Sequence, residues 1–192
     1  MDPRALAQIA MFAALIAALG LVPFVTLPIT GGVPIIAQNL GVMLAGALLG
    51  PFRGALAVLL FLLCVALGAP LLTGGRGGLG VFAGPTVGYL VAWPIAALVV
   101  GLLMRGLRHL PLMSAAMVAA LVGGVGVVYA IGVPVQAMMV GLGVRETMIA
   151  AAAFLPGDLL KVILVGFIVK AVARARPSLL PGVTASRPGT DG

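Results

Sequence analysis

Residues 5–25 read "ALAQIAMFAALIAALGLVPFV", twenty-one positions with a single polar side chain, Gln8. A helix of about 20 apolar residues, rising 1.5 Å per residue, matches the ~30 Å hydrocarbon core of a bilayer. The pattern persists beyond this stretch. No charged residue occurs between Ala5 and Phe52, and Gly54–Gly75, Gly77–Met104 and His109–Val144 are uncharged as well. The chain of 192 residues is 62% hydrophobic and 8% charged, more apolar surface than a soluble domain of that size can bury. Aromatic residues are few and strict apolar/polar alternation is missing, which argues against a transmembrane barrel. These observations imply an all-α, polytopic membrane protein. Asp2 and Arg4 precede the first apolar run as in a signal peptide, but the run continues to Val25 without a polar cleavage region and reads as a retained span.

Other classes are closed off by counting. One cysteine, Cys64, and one histidine, His109, allow no disulfide framework and no Cys/His metal cluster, so neither metal nor cofactor is expected. The net charge of +7 comes from Lys and Arg near span ends, not from a patch suited to nucleic acid. The only lysines, Lys161 and Lys170, follow Leu160 and Val169, so there is no GxxxxGK[ST] phosphate loop. Uphill transport would need a partner ATPase or an ion gradient.

The expected spans are Ala5–Val25, Ile36–Leu49, Gly54–Leu67, Thr86–Met104, Met113–Val133 and Thr147–Ala173, a six-helix bundle occupying residues 1–176. Residues 177–192 have no core-forming pattern and are expected to be a disordered tail. With both termini cytoplasmic, Arg4, Arg53, Arg105, Arg108, Lys170, Arg174, Arg176 and Arg187 lie inside, and only Arg76 and Arg145 lie outside. The positive-inside rule favours that orientation.

Three features stand out in this setting. The uncharged loop Thr26–Gln38 reads either as a lid over an apolar cavity or as an ordinary interfacial loop. In "TGGRGGLG", Thr73–Gly80, five of eight residues are glycine and surround Arg76. Glycines such as Gly75 and Gly77 let backbone N–H groups approach a ligand, and the guanidinium fork suits a carboxylate. The alternative is an arginine that snorkels to lipid phosphate. In "LPGDLLKVIL", Leu155–Leu164, Asp158 and Lys161 are three apart and share a helix face. An ionised side chain at mid-bilayer costs roughly 2.5–3.5 kcal/mol on insertion scales, so both should face protein or a water-filled cavity. Pro156 beside them breaks the helix or begins it, as in many transporter sites. The competing reading is a structural ion pair, although Arg76 would then leave one positive charge for an anionic ligand to neutralise. Ala10, Ala14 and Ala18 recur every fourth residue in the first span, as do Ala13 and Ala17. Small residues at that spacing serve packing within the chain or docking of a second protein. The glycines of "LVGGVGVVYAIG" in the fifth span read as intrachain packing.

Three segments, "GGVPIIAQNLGVMLAGALLGPFRGALAVLLFLL", "GGRGGLGVFAGPTVGYLVAWP" and "PGDLLK", resemble the BioY family. Its members are the biotin-specific substrate-binding (S) components of energy-coupling factor (ECF) transporters, a branch of ABC transporters. The resemblance covers roughly Ala5–Ala173. It implies a six-helix protein of the cell membrane that captures biotin with high affinity from outside. It also implies partners: one transmembrane coupling protein and two ATPase subunits, docked through the Ala10/Ala14/Ala18 face. Biotin offers two ureido N–H donors, a ureido oxygen, an apolar thiophane ring and a carboxylate. Asp158 suits the N–H groups, Arg76 and Lys161 the carboxylate, Gln38 a polar contact, and Tyr89 with Trp93 the apolar ring. Many relatives carry Thr–Leu–Gln–Thr where this chain has Ile36–Ala37–Gln38–Asn39, so roles of those threonines do not carry over. The competing readings are an S component for another small anionic vitamin, a ligand-free structural subunit, and a membrane enzyme. An enzyme acting on lipid-linked substrates normally needs more carboxylates than Asp158 and Glu146.

Overall fold

A computed structural model describes residues 2–21 and 36–175. Its helices begin and end where the sequence places caps and breakers. Asp2 accepts the backbone N–H of Arg4 and Pro3 opens α1 (Pro3–Gly20). Then come α2 (Gln38–Leu49), α3 (Pro51–Ala66), a short 3-10 turn at Leu79–Ala83, and α4 (Val87–Gly106). They are followed by α5 (Leu112–Val140), α6 (Val144–Ala152) and α7 (Leu155–Ala175). Gly50, with φ +82°, ends α2, and Pro51 immediately starts α3, so two helices reverse across one residue.

The helices pack where glycine lets backbones meet. A Cβ on Gly46 would strike the Ala97 carbonyl, one on Gly54 the backbone of Ala45 and Gly46, and one on Gly101 the backbone of Pro51. In lipid, where apolar surface gains little from leaving its solvent, such close approach is a main source of helix association. Eleven of the twelve residues of α2 are buried. At ~18 Å it is too short for a ~30 Å core, and its neighbours shelter it on all sides. By contrast α3 exposes Phe52, Leu59 and Leu63 along one face, where lipid would lie.

Two expected spans are corrected. The fifth does not stop at Val133: α5 runs through Pro134 to Val140 and ends at Gly141, which takes a left-handed φ of +69°. A proline inside a membrane helix loses one hydrogen bond without ending it. Midway, Ala120–Val127 is π-helical, and its glycines pack within the chain, Gly123 on Val100 and Gly124 on Met43. The sixth span is not one helix over Thr147–Ala173 but two, α6 and α7, bent by 58° at Ala153–Phe154. Pro156 falls in the first turn of α7, where its missing N–H has no partner to lose.

By length and composition, α1, α4 and α5 are able to cross a membrane, and α6 with α7 forms a fourth span if counted together. The shorter apolar α2 and α3 complete a helical membrane bundle. Gly20 abuts the Leu71 carbonyl and the Gln38 amide, which sets the loop after α3 beside the end of α1. Gly101 abuts Pro51, which sets Arg53 and Arg105 at the opposite end. The continuation of the first span to Val25, most of the Thr26–Gln38 loop, and the 177–192 tail lie outside the described residues.

Candidate functional site

At the Gln38 end the bundle encloses a cavity of about 190 Å³ between α2, α4, α5, the α6–α7 bend and the glycine–arginine loop. Asp158, Lys161, Arg76, Gln38, Tyr89 and Trp93 all line it. The helix break aims the charges. Phe154 ends the bend, the Asp158 N–H donates to its carbonyl, and the first turn of α7 presents Asp158 and Lys161 inward. Both are 6% exposed, and Lys161 Nζ donates to Asp158 Oδ1 at 2.7 Å. Isolated burial of either charge would be costly, and this pairing offsets it.

Arg76 reaches the cavity from a tight chain reversal. Leu72 N–H donates to the Arg76 carbonyl, Gly75 N–H donates to the Leu72 carbonyl, and Gly74 and Gly75 both take positive φ. Arg76 is exposed and, among the described residues, joins no ion pair. The ionisable Asp, Lys and Arg residues of the cavity wall therefore sum to one positive charge.

Gln38 fastens this loop. Its amide donates to the Leu71 carbonyl at 3.0 Å and the Ile16 carbonyl at 3.4 Å, while its oxygen accepts the Thr73 N–H at 3.0 Å and hydroxyl at 2.9 Å. All four bonding positions of the side chain are thus occupied. The expected direct polar contact is corrected on that ground: Gln38 ties α1, α2 and the Arg76 loop together. Gly75 and Gly77, expected to bring N–H groups to a ligand, do not line the cavity. The Gly75 N–H is consumed in the turn, and Gly77 lies against Ala69.

Tyr89 and Trp93, one turn apart on α4, form an aromatic wall. Trp93 is held by Phe61, ring centroids 6.2 Å apart and tilted by 41°. Tyr89 sits over Gly132, where any side chain would strike its ring, and its hydroxyl donates to Gln136 Oε1 at 2.7 Å.

Tyr129, Gln136 and Asn39 also line the cavity and were not expected to. Tyr129 donates to Asp158 Oδ2 at 2.7 Å, so both carboxylate oxygens are held. Its signal in the sequence is a phenol seven residues before Gln136, two polar groups on one face of an otherwise apolar helix. On α1, Ala10, Ala14 and Ala18 are exposed whereas Ala13 is buried, which separates the two alanine registers. The site thus combines an apolar wall, a paired acid and base, and a guanidinium that donates to the Thr73 carbonyl and joins no ion pair among the described residues, a composition suited to a small, mostly apolar, anionic molecule.

Comparison with known proteins identifies the family and the fold. The BioY family model matches residues 1–178. The "Biotin transporter BioY" of Rhodobacter capsulatus is 47% identical over 186 residues, covering 92% of this chain and 97% of its own. Its namesake from Rhizobium etli is 45% identical, covering 94% and 98%. Among solved structures, the 2.1 Å crystal structure of the S-component for biotin from an ECF-type ABC transporter superposes with a TM-score of 0.81. It is 33% identical and covers 89% of this chain and 91% of that one. Sequence and fold agree: the chain belongs to the BioY family.

Proposed function

We propose that this protein is the biotin-binding S component of an ECF-type ABC transporter, capturing biotin with high affinity at the outer face of the cytoplasmic membrane. The observation that carries the reading is the buried Asp158–Lys161 pair inside a cavity whose rim holds Arg76. Biotin matches that arrangement group by group. A ureido N–H donates to Asp158, and Lys161, held beside it, donates to the ureido oxygen. The thiophane ring lies against Tyr89 and Trp93, and the valerate carboxylate reaches Arg76. Lys161 thereby leaves the carboxylate role first expected of it, because its ammonium is fixed at the Asp158 end. The carboxylate adds the one negative charge that neutralises the site.

Both termini face the cytoplasm in this reading, which puts Arg53 and Arg105 inside and the cavity mouth outside. The exposed Ala10/Ala14/Ala18 face of α1 receives the transmembrane coupling protein, which links the chain to two ATPase subunits. The chain itself supplies binding, not ATP hydrolysis.

Calorimetric titration of the purified, detergent-solubilised full chain tests the reading. Biotin is expected to bind with one-to-one stoichiometry, and biotin methyl ester much more weakly because Arg76 loses its partner. Absence of biotin binding, or tighter binding of a different carboxylate vitamin, overturns it.

A further inference from the structure

Asn39 stands in the first turn of α2, 7% exposed and lining the cavity. Its amide nitrogen donates to the Gly124 carbonyl at 3.2 Å, inside the π-helical stretch of α5. That bond fixes the orientation of the group, since the reverse setting would press Oδ1 against a carbonyl oxygen. Oδ1 then has no hydrogen-bond partner among the described residues. One turn further along α2, the buried Met43 packs on the same Gly124. A buried carbonyl oxygen without a donor is unfavourable and calls for a partner.

The cyclic urea of biotin offers such a donor. Its two N–H bonds flank the carbonyl and diverge, so one carboxylate cannot accept both in good geometry. Asp158 already accepts from Lys161 on one oxygen and from Tyr129 on the other. A second acceptor on a different wall is needed, and α2 supplies it. Resting on the biotin reading, we propose that Asn39 Oδ1 is that acceptor, taking the ureido N–H that Asp158 does not. The π-helical stretch of α5 holds the amide in register for it. Asn39 is thus a specificity residue that favours a ligand with two divergent donors over one with a single donor.

Asn39 is the only asparagine in the chain, so asparagine labelled with ¹³C at Cγ yields a single reporter signal from the full-length wild-type protein. The probes are biotin and two cyclic carbamate analogues, each with one ureido N–H replaced by oxygen. Saturating biotin is expected to move the Cγ signal downfield, and the carbamate lacking the relevant N–H is expected to leave it in place. Asn39→Leu is expected to weaken biotin binding roughly 10- to 100-fold, the loss of one buried hydrogen bond. In that variant the penalty for the same carbamate should shrink to threefold or less. An unmoved Cγ signal at saturating biotin overturns the proposal, as does an Asn39→Leu protein that binds biotin within twofold of wild type. Absence of biotin binding by the wild-type chain overturns the parent reading and this one together, whereas binding with an unmoved signal overturns this one alone.

Discussion

The Tyr129 hydroxyl donates to Asp158 Oδ2 at 2.7 Å, the carboxylate oxygen that Lys161 does not use. The contact links the middle of α5 to the first turn of α7, across the 58° bend that precedes it. Asp158 is therefore oriented from two sides before any ligand arrives, and preorganisation of this kind lowers the cost of binding.

Removing only that hydroxyl should expose its contribution. A hydrogen bond to a charged group is worth about 1.5–3 kcal/mol. Because the bond precedes the ligand, most of that value bears on stability, and Tyr129→Phe is expected to weaken biotin binding severalfold while helix content is unchanged. Titration calorimetry with circular dichroism checks both, and unaltered affinity would show that Lys161 alone orients the carboxylate.

The acid–base pair separates ligand binding from stability. Breaking a buried pair from one side costs roughly 3–5 kcal/mol because it strands a charge. Asp158→Asn and Lys161→Met should each lower the unfolding temperature in detergent. Their combination should recover much of that loss, since no charge remains stranded, and still fail to bind biotin. Full binding by the double variant would make the pair structural.

Gln38 and Arg76 should behave as one unit. Gln38→Leu frees the Thr73 backbone and hydroxyl and loosens the loop that presents Arg76. It is expected to weaken biotin binding severalfold in the wild type and to add little once Arg76 is alanine. A double-mutant cycle measures that coupling. Fully additive effects would show Gln38 acting independently of the loop.

The two alanine registers of α1 predict opposite outcomes. Ala14 is exposed, so Ala14→Trp should bind biotin normally yet abolish uptake by cells carrying the energising subunits. Ala13 is 7% exposed and packed in the core, so Ala13→Trp should destabilise the purified chain itself. Loss of binding in both variants would assign the whole stripe to internal packing.

The sequence alone determined a good deal. Runs without charge longer than a bilayer is thick leave lipid as the only solvent for this chain, whatever its fold. Asp158 and Lys161 were visible because a charge in such a run is expensive unless it is paired, and three residues of helix spacing put them on one face. Arg76 was visible through the glycines around it. These inferences are local, since each follows from composition or from neighbours in the chain.

What the tertiary structure decided depends on who meets whom across helices. The partners of Gln38 come from two separate segments, the end of α1 and the loop carrying Arg76, and only their convergence showed that its bonding capacity is spent. Tyr129 lies 29 residues before the carboxylate it holds, and Asn39 lies 85 residues before the carbonyl that leaves its oxygen unpaired. The break at Ala153–Phe154 likewise follows from packing, because Pro156 is equally at home inside a kinked helix or in the first turn of a new one. Hydropathy specifies which faces avoid water. In a bilayer almost every face does, so the close contacts of Gly46, Gly54 and Gly101, and not the apolar pattern, selected the arrangement that encloses the cavity.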